Sequence, residues 1–432
     1  TSRINTQIKF EIQNFMNDAV NVDELKSFKS PATFQQSLRV TVIIGQLFSL
    51  IPVIGVFSTK SSHVRFRWSS WKCVYLLFSL SGQIFITIMC IYNVVRSKTS
   101  LNATTPVIFY GTACLTMLMF LKIARKWPEL VKHISRVEDL DPNYNTQLTY
   151  KCNLTCVVVL ALATFEHILS LLSAFVDAMA PENSHYEGFA RNFYPWVFKY
   201  IPYSPILGVL TQFLHFQSTF IWNFSDLFVI CMSYYLTSRL QYVNKKLLAA
   251  QGKYLPEVFW RTSREEYGRA VQLVRKVDDV ISGIVFISFA NNLFFICLQL
   301  FNTLENGIKG AVSCRSGKST ILGGYEAAVY FLFSLIYLIS RSVAVSLIAS
   351  QVNSASTVPA SVLYDVPSPV YCLEVQRFLE QVNGEKIALS GLQFFSVTRS
   401  LLLTGSKLMF HNYSKIDFTL VSYGIFIPSN IE

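Results

Sequence analysis

The chain has 432 residues, of which 52% are hydrophobic, 14% aromatic and only 15% charged. This composition is too apolar for a soluble protein of that length, and the 35 Phe and 21 Tyr residues exceed what one globular core needs. The formal net charge of +11 is compatible with nucleic-acid binding, but in such an apolar chain the distribution of Lys and Arg is more informative, and we expect no nucleic-acid partner.

Six segments approach or exceed the run of about 20 apolar residues that a transmembrane helix requires. In chain order they are residues 74–95, 106–121, 154–176, 206–236, 280–301 and 325–348. Two further segments are ambiguous, because Pro52 and Gly55 interrupt the first, residues 40–57, and polar sequence follows the second, residues 387–403. The sequence therefore predicts an all-α protein, a polytopic bundle of membrane helices.

The distribution of Lys and Arg predicts how these helices are oriented, because cytoplasmic loops carry an excess of basic residues. If the N-terminus is cytoplasmic and residues 40–57 enter the membrane and return, the cytoplasmic segments hold 26 Lys and Arg and the outer loops 7. If residues 40–57 crossed, the basic stretches KIARKWPELVKH and RLQYVNKK would lie outside. We therefore predict a cytoplasmic N-terminus, an N-terminal re-entrant hairpin and seven transmembrane helices, with a glycosylation sequon at Asn102 in an outer loop.

Polar side chains recur on one face of four successive predicted helices. On the first of them Glu166, Ser170 and Ser173 follow helical spacing. The candidate binding residues on all four helices are Glu166, Ser170, Gln212, His215, Thr219, Trp222, Asn223, Asp226, Asn291, Asn292, Glu326 and Tyr330. A single Ser, Thr or Asn in a span is more often an interhelical hydrogen bond, but stripes on four helices favour a shared polar cavity.

Depth in the membrane separates the acidic residues of these stripes. Glu166 lies about 13 residues from the cytoplasmic end of its helix, roughly 20 Å along the axis, so we expect it in a pocket that opens outward. Asp226 lies deeper and is expected to pair with Arg341, while His167 points about 100° away from Glu166 and is expected to pack between helices.

The residue types on the stripes indicate the class of ligand. Carboxylates and amides can hydrogen-bond vicinal hydroxyls, and Trp and Tyr offer flat faces to the apolar side of a sugar ring. A sugar fits this set better than an apolar odorant does, and a cationic alkaloid is the alternative.

Signals for enzymatic chemistry are weak, and we expect neither catalysis nor a cofactor. The stretch SCRSGKST at residues 313–320 resembles a phosphate-binding loop, but Val312 stands where that motif requires glycine. Cys152 and Cys156 lie one helical turn apart, yet no clustered His or Cys completes a metal site, so we expect them to be packing residues.

Seven stretches together resemble the insect gustatory receptor family, specifically its sugar-receptor branch. They are IPVIGVFSTKSSHVRFRW, KIARKWPELVKH, YSPILGVL, FIWNFSDLF, VDDVISGIVFISFANNLFFICLQLFN, LIYLISRSVAV and CLEVQRFLEQVNGEKIALSGLQFFSVTRSLLL, from about residue 51 to 403. The resemblance implies a multi-pass plasma-membrane receptor, a ligand-gated non-selective cation channel opened by a sugar in an outward-facing pocket. It also implies a homotetramer, or a heteromer with related gustatory receptors, surrounded by membrane lipid.

The resemblance further implies that the last helix of each subunit lines a central pore, and the residues at its start are Leu401, Leu402 and Leu403. In the family this helix is apolar, carries a Thr-Tyr pair and ends in Gln-Phe, whereas residues 404–432 read TGSKLMFHNYSKIDFTLVSYGIFIPSNIE. Lys407, Lys415 and Asp417 interrupt any span there. A retained intron, an alternative terminal exon or an error in the gene prediction would each give this pattern, and we expect a non-conducting variant.

With the family pattern included, the chain divides into five parts. They are a cytoplasmic N-terminal segment (1–39), a re-entrant hairpin and basic loop (40–73), a six-helix ligand-binding bundle (74–348) with cytoplasmic extensions at 239–279, an anchor helix and start of the pore helix (349–403), and an atypical tail (404–432). Two alternatives to the channel are a secondary transporter, which predicts internal repeats, and a G-protein-coupled receptor, which predicts an outer N-terminus.

Overall fold

The structure is a computed structural model, and it describes residues 33–58, 60–96, 101–142, 147–178, 185–306 and 326–401. The helices of this part are α1 (Phe34–Leu47), α2 (Trp71–Arg96), α3 (Leu101–Leu140), α4 (Gln147–Ala178), α5 (His185–Phe193), α6 (Pro195–Phe198), α7 (Pro205–Ala250), α8 (Glu257–Asn306), α9 (Glu326–Tyr364) and α10 (Leu373–Gly384). Two antiparallel pairs of short strands join them, β1 (Val53–Ile54) with β2 (Arg65–Phe66) and β3 (Ser390–Gly391) with β4 (Phe395–Ser396).

The described helices form a multi-pass membrane bundle, which confirms the predicted fold class. Five of them, α2, α3, α4, α8 and α9, are long and apolar enough to cross a membrane by length and composition. They coincide with five of the six predicted apolar segments. The count of seven crossings stays a prediction.

Helix α7 covers the sixth segment, but it is not among the five described helices that are apolar enough to cross. It has 46 residues, and within it residues 223–233 are all buried. A helix that is buried on every side contacts protein rather than lipid, so its polar residues can be paired by its neighbours α1, α4, α8 and α9. Its place at the centre of the bundle is compatible with polar residues such as Asn223 and Asp226 in the buried stretch.

The ambiguous segment at residues 40–57 is a short helix followed by a tight turn. Helix α1 has 14 residues, about 21 Å, which is less than the hydrocarbon thickness of about 30 Å. Its first backbone N–H, on Phe34, donates to Oε1 of Glu138 in α3 at 2.8 Å, and Tyr235 of α7 donates to the same oxygen at 2.9 Å. After α1 the chain turns with positive φ at Ser49 and Ile51. The re-entrant course of this segment through the membrane stays a prediction.

Several predicted cytoplasmic loops are helical extensions of the bundle. The stretch KIARKWPELVKH continues α3 to Leu140, and α9 continues to Tyr364. Ion pairs connect α8 to the neighbouring elements: Arg269 of α8 lies 2.7 Å from Asp141, directly after α3, and Arg264 of α8 lies 2.9 Å from Glu374 of α10. Lys, Arg and Glu are good helix formers, so apolar length alone underestimated the helices.

The second ambiguous segment, residues 387–403, is not one helix. It begins with the β3–β4 hairpin, which Asp278 of α8 fixes by accepting hydrogen bonds from the backbone N–H and the hydroxyl of Ser390, both at 2.7 Å. A new helix starts at Arg399 and includes Leu401. Leu402, Leu403 and the tail at 404–432 lie outside the described residues.

Candidate functional site

A cavity of about 690 Å³ lies where α4 ends and α3 begins, between α3, α4, α7, α8 and α9. This is the outer end of the bundle in the predicted topology. The segment 185–203 covers it, and Asn192, Phe193 and Trp196 form part of its wall. Tyr194 fixes this cover because its hydroxyl donates to Oε1 of Gln212 at 2.7 Å, and burial raises the pKa of the phenol, so it remains a donor.

The wall of the cavity combines polar groups with aromatic rings. The polar side chains include Glu166, His167, Ser170, Ser173, Asn192, His215, Thr219, Gln299, Asn302 and Ser334, and the rings include Phe109, Tyr110, Phe193, Trp196, Trp222, Phe295, Tyr330 and Phe331. Ligand sites of this volume typically place a few polar groups in an apolar and aromatic wall. The arrangement can bind a compact molecule that has many hydroxyl groups and an apolar ring face.

Glu166 is the acidic side chain of this wall. Ser334 of α9 donates to its Oε1 at 2.6 Å, and Nε2 of Gln299 in α8 lies 3.1 Å from the Ser334 hydroxyl. Three helices therefore orient one carboxylate. A carboxylate has about four lone-pair sites, so Glu166 retains capacity to accept hydrogen bonds from a ligand.

Two imidazoles form another part of the wall. The ring centroids of His167 and His215 are 5.7 Å apart, and the hydroxyl of Tyr110 lies 2.9 Å from Nδ1 of His215. The ring of Phe193 packs edge-on against His215 at 5.2 Å. His167 thus packs between helices, as expected, but it also lines the cavity.

A buried polar network lies next to the cavity, one to two turns further along α7. Nε of Arg341 lies 2.8 Å from Oδ2 of Asp226, and both side chains are at most 3% exposed. Ser288 and Asn292 of α8 donate to the same carboxylate, the latter at 3.1 Å. Arg341 also donates to Asn223, which accepts a second hydrogen bond from Tyr337 at 2.8 Å. The predicted pairing of Asp226 with Arg341 is confirmed.

Trp222 belongs to both the cavity wall and this network. Its indole N–H donates to Oδ1 of Asn292 at 3.2 Å, and the guanidinium carbon of Arg341 lies 4.5 Å from its ring centroid. A molecule that contacts Trp222 in the cavity therefore contacts a side chain that the network holds on its other side.

The structure brings half of the predicted binding residues together. Those that line the cavity are Glu166, Ser170, His215, Thr219, Trp222 and Tyr330. The others lie around it: Gln212 bonds the cover, and the buried residues that do not line the cavity are Asn223, Asp226, Asn291 and Asn292. Their role in binding stays a prediction.

Two residues that were predicted to bind sugar or to carry a glycan lie at helix ends, and the structure does not describe their side chains. Glu326 is the first residue of α9. Asn102 is the second residue of α3 and precedes its candidate membrane span, which begins at Ala103, so both its place outside the membrane and its glycosylation stay predictions.

Sequence reasoning missed the residues that the cover and α3 contribute. Asn192, Phe193 and Trp196 fall in a segment that was predicted to be an outer loop, and Phe109 and Tyr110 lie on a helix with no polar stripe. The aromatic density of the segment HYEGFARNFYPWVFKYIPY was the available signal, since a solvated loop rarely carries so many rings. In the described part of the chain no group of three or more His, Cys, Asp or Glu is arranged to hold a metal ion.

Comparisons of the sequence with known proteins find insect sugar receptors as relatives. Residues 13–409 match the family described as trehalose receptor. The gustatory receptor for sugar taste 64f of Drosophila melanogaster is 33% identical over 92% of this chain and 82% of its own length. The gustatory receptor 5a for trehalose of the same species is 31% identical over 88% of this chain and 83% of its own.

A solved structure shows the same fold. The insect olfactory receptor OR5 from Machilis hrabei, in complex with eugenol, superposes with a TM-score of 0.64 at 13% identity. The match covers 87% of this chain and 95% of that receptor.

Proposed function

This chain belongs to the trehalose receptor family of insect gustatory receptors, and on that basis we propose that it detects sugars and responds by opening a cation channel. Family and fold show that the chain is a multi-pass membrane chemoreceptor. The observation that carries the proposal is the cavity in which the Glu166 carboxylate faces aromatic rings. As a channel it would act as a homotetramer or as a heteromer with related receptors, in contact with membrane lipid.

The cavity supports a specific mode of sugar binding. The free lone pairs of Glu166 accept hydrogen bonds from two neighbouring hydroxyls of the sugar. Ser170 and Gln299 line the same cavity as Glu166 and supply further hydrogen-bond donors and acceptors for the sugar hydroxyls. Trp222 and Tyr330 line the same cavity, and the C–H side of the ring, which is the apolar surface of a sugar, can pack against these aromatic rings.

Trp222 is the proposed link between binding and opening. A sugar that packs on the indole shifts the hydrogen bond to Asn292, and Asn292 also contacts Asp226 and Arg341. This network joins α7, α8 and α9. The inner ends of α8 and α9 contact α10, and α8 also contacts β3, which precedes the helix that starts at Arg399. Because the network is fully buried, a displacement at one end is transmitted by packing rather than absorbed by solvent.

The experiment that tests the proposal is patch recording in heterologous cells, with residues after Leu403 replaced by a typical family pore helix and with related receptors co-expressed. We expect currents evoked by sugars and carried by both Na⁺ and K⁺. Sugar uptake without current would indicate a transporter instead, and a second-messenger response without current would indicate a coupled receptor.

A second arm of the same experiment addresses the link. Asn292→Ala should lower the largest sugar-evoked current several-fold while leaving surface expression unchanged. If Asn292→Ala responds as the parent protein does, the Trp222 route is excluded even where sugar still opens the channel.

A further inference from the structure

A second cavity, of about 320 Å³, lies between the other ends of α4, α7 and α9. Its wall is mostly polar, with hydroxyls, two amides and one ammonium group, and its polar members are Lys151, Tyr234, Thr237, Ser238, Gln241 and Gln351. Nothing in the proposed sugar response uses these residues.

The depth of this cavity follows from helix geometry. Each helix that lines the second cavity also lines the sugar cavity, 15 to 17 residues away along the same helix. The pairs of lining residues are Lys151 and Glu166 on α4, Thr237 and Trp222 on α7, and Gln351 and Ser334 on α9. At about 1.5 Å per residue this is roughly 22 to 26 Å, close to the thickness of the hydrocarbon layer. The second cavity therefore lies at the level of the cytoplasmic headgroups.

One residue of the wall has a buried polar group without a hydrogen-bond partner among the described residues. Thr237 is 4% exposed, and among the described residues its hydroxyl has no hydrogen-bond partner. A buried hydroxyl without a partner is energetically unfavourable, so such groups are normally satisfied by protein, water or a ligand. Thr237 lines the cavity, so rotation about its Cα–Cβ bond can turn the hydroxyl toward a ligand there.

The charge and the surroundings of the cavity restrict what that ligand is. Lys151 is the one charged side chain of the wall, which matches a single negative charge, and the hydroxyls and amides match a polyol. Leu154 and Leu347 lie one turn from Lys151 and Gln351 toward the membrane, and both are 46% exposed. These leucines extend the mouth of the cavity into an apolar surface that can contact acyl chains.

We propose that this cavity binds the inositol-phosphate headgroup of a lipid in the cytoplasmic leaflet, a monoanionic phosphodiester that carries a polyol. Lys151 pairs with the phosphate, and Thr237, Gln241 and Gln351 bond the ring hydroxyls. The three helices that surround the headgroup also build the sugar cavity, so the lipid would hold their inner ends together. The proposal does not depend on the identity of the outer ligand.

The test is a binding titration of the full chain purified in detergent, in which binding is measured as the rise in thermal stability with ligand concentration. The probes are dioctanoyl phosphatidylinositol, dioctanoyl phosphatidylglycerol with the same charge, and soluble glycerophosphoinositol. The variants are Lys151→Gln and Gln351→Leu, whose side chains are exposed, and the near-isosteric Thr237→Val. The matched control is Lys132→Gln, an exposed lysine of α3 that does not line the cavity.

We expect phosphatidylinositol to bind about 10-fold tighter than phosphatidylglycerol, and each variant to weaken it about 10-fold, with Lys132→Gln unchanged. Equal binding of the two lipids, or parental affinity in both Lys151→Gln and Gln351→Leu, would overturn the proposal. Glycerophosphoinositol that binds as tightly as the lipid would overturn the assignment to a lipid and indicate a soluble inositol phosphodiester instead.

Discussion

At the scale of single residues, the structure explains why an acidic residue, Glu166, lies in so apolar a helix. Its carboxylate is held by Ser334 at 2.6 Å and borders a cavity of about 690 Å³. We expect Glu166→Gln, in the version with a family pore helix, to raise the half-maximal sugar concentration about 10- to 100-fold, because hydrogen bonds to a charged group contribute about 1.5 to 3 kcal/mol. Dose–response recording measures the shift.

The matched control for Glu166 is Glu129→Gln, the same change on an exposed acid of α3. It should leave the dose–response curve unchanged. Parental sensitivity in Glu166→Gln would mean that the sugar does not contact this carboxylate.

A second prediction for single residues concerns the contribution of the buried Asp226–Arg341 ion pair to stability. Removing one member of a buried ion pair destabilises a protein by about 3 to 5 kcal/mol, because the other charge is left without a partner. We expect Arg341→Met alone to lose thermal stability in detergent, measured as monodisperse protein after heating. Adding Asp226→Asn should restore most of the loss, since it removes the unpaired charge while its one amide oxygen still accepts from Ser288. A double variant no more stable than Arg341→Met would contradict this explanation.

The sequence predicted the polar faces but not how far along each helix the cavity extends. The stripe on α7 runs from Gln212 to Asp226, 14 residues or about 21 Å, and only its middle, His215 to Trp222, reaches the cavity. Periodicity gives the direction of a side chain around a helix axis. It does not give the level at which neighbouring helices separate, because that depends on residues far away in the chain, such as Trp196 and Phe295.

At the scale of elements, the packing of α1 on α7 depends on one glycine. A Cβ added at Gly45 would lie 2.6 Å from Cζ of Phe224, a fully buried ring. We expect Gly45→Ala to destabilise the protein by about 1 to 3 kcal/mol, as overpacking of a core does. Thermal unfolding in detergent measures the loss.

Gly111 of α3 provides the matched control, because a Cβ there would meet its nearest neighbour, Cγ2 of Thr87, at an ordinary 3.8 Å. Gly111→Ala should be neutral or stabilising by up to about 1 kcal/mol, since alanine favours the helix. If both variants behaved alike, close packing of α1 would not be the reason for glycine at position 45.

Elements were predicted well where apolar runs are long and poorly where tertiary contacts determine the structure. The five apolar helices were found from composition alone. The β3–β4 hairpin was not, because its strands have two residues each and its position depends on Asp278, more than 100 residues earlier. Leu392 and Gln393 adopt positive φ in its turn, a conformation that neither residue type signals.

For the whole molecule, the first prediction concerns its orientation in the membrane. The distribution of basic residues predicts a cytoplasmic N-terminus, so an N-terminal tag should bind antibody only after cells are permeabilised. An epitope inserted between α8 and α9, where the chain is predicted to be outside, serves as the opposite control. Labelling of the N-terminal tag on intact cells would show that the predicted orientation is inverted.

The second prediction for the whole molecule concerns conduction. Lys407, Lys415 and Asp417 each oppose insertion near the centre of a span by about 2.5 to 3.5 kcal/mol, so a pore helix is unfavourable beyond Leu403. We expect the unmodified chain, expressed alone, to reach the membrane and give no sugar-evoked current, and the chimera with a family pore helix to conduct. Robust current from the unmodified chain would mean that residues 404–432 line a pore.

The enclosure of α7 also has a consequence for biosynthesis. A ribosome that has completed residue 250 has produced a helix whose buried carboxylate, Asp226, is still unpaired, because its partners Ser288 of α8 and Arg341 of α9 are not yet made. The newly made helix must therefore remain beside the insertion machinery, or against α3 and α4, until about 100 further residues have emerged. Truncation within this interval would produce a chain that cellular quality control degrades, whereas truncation after α9 would not.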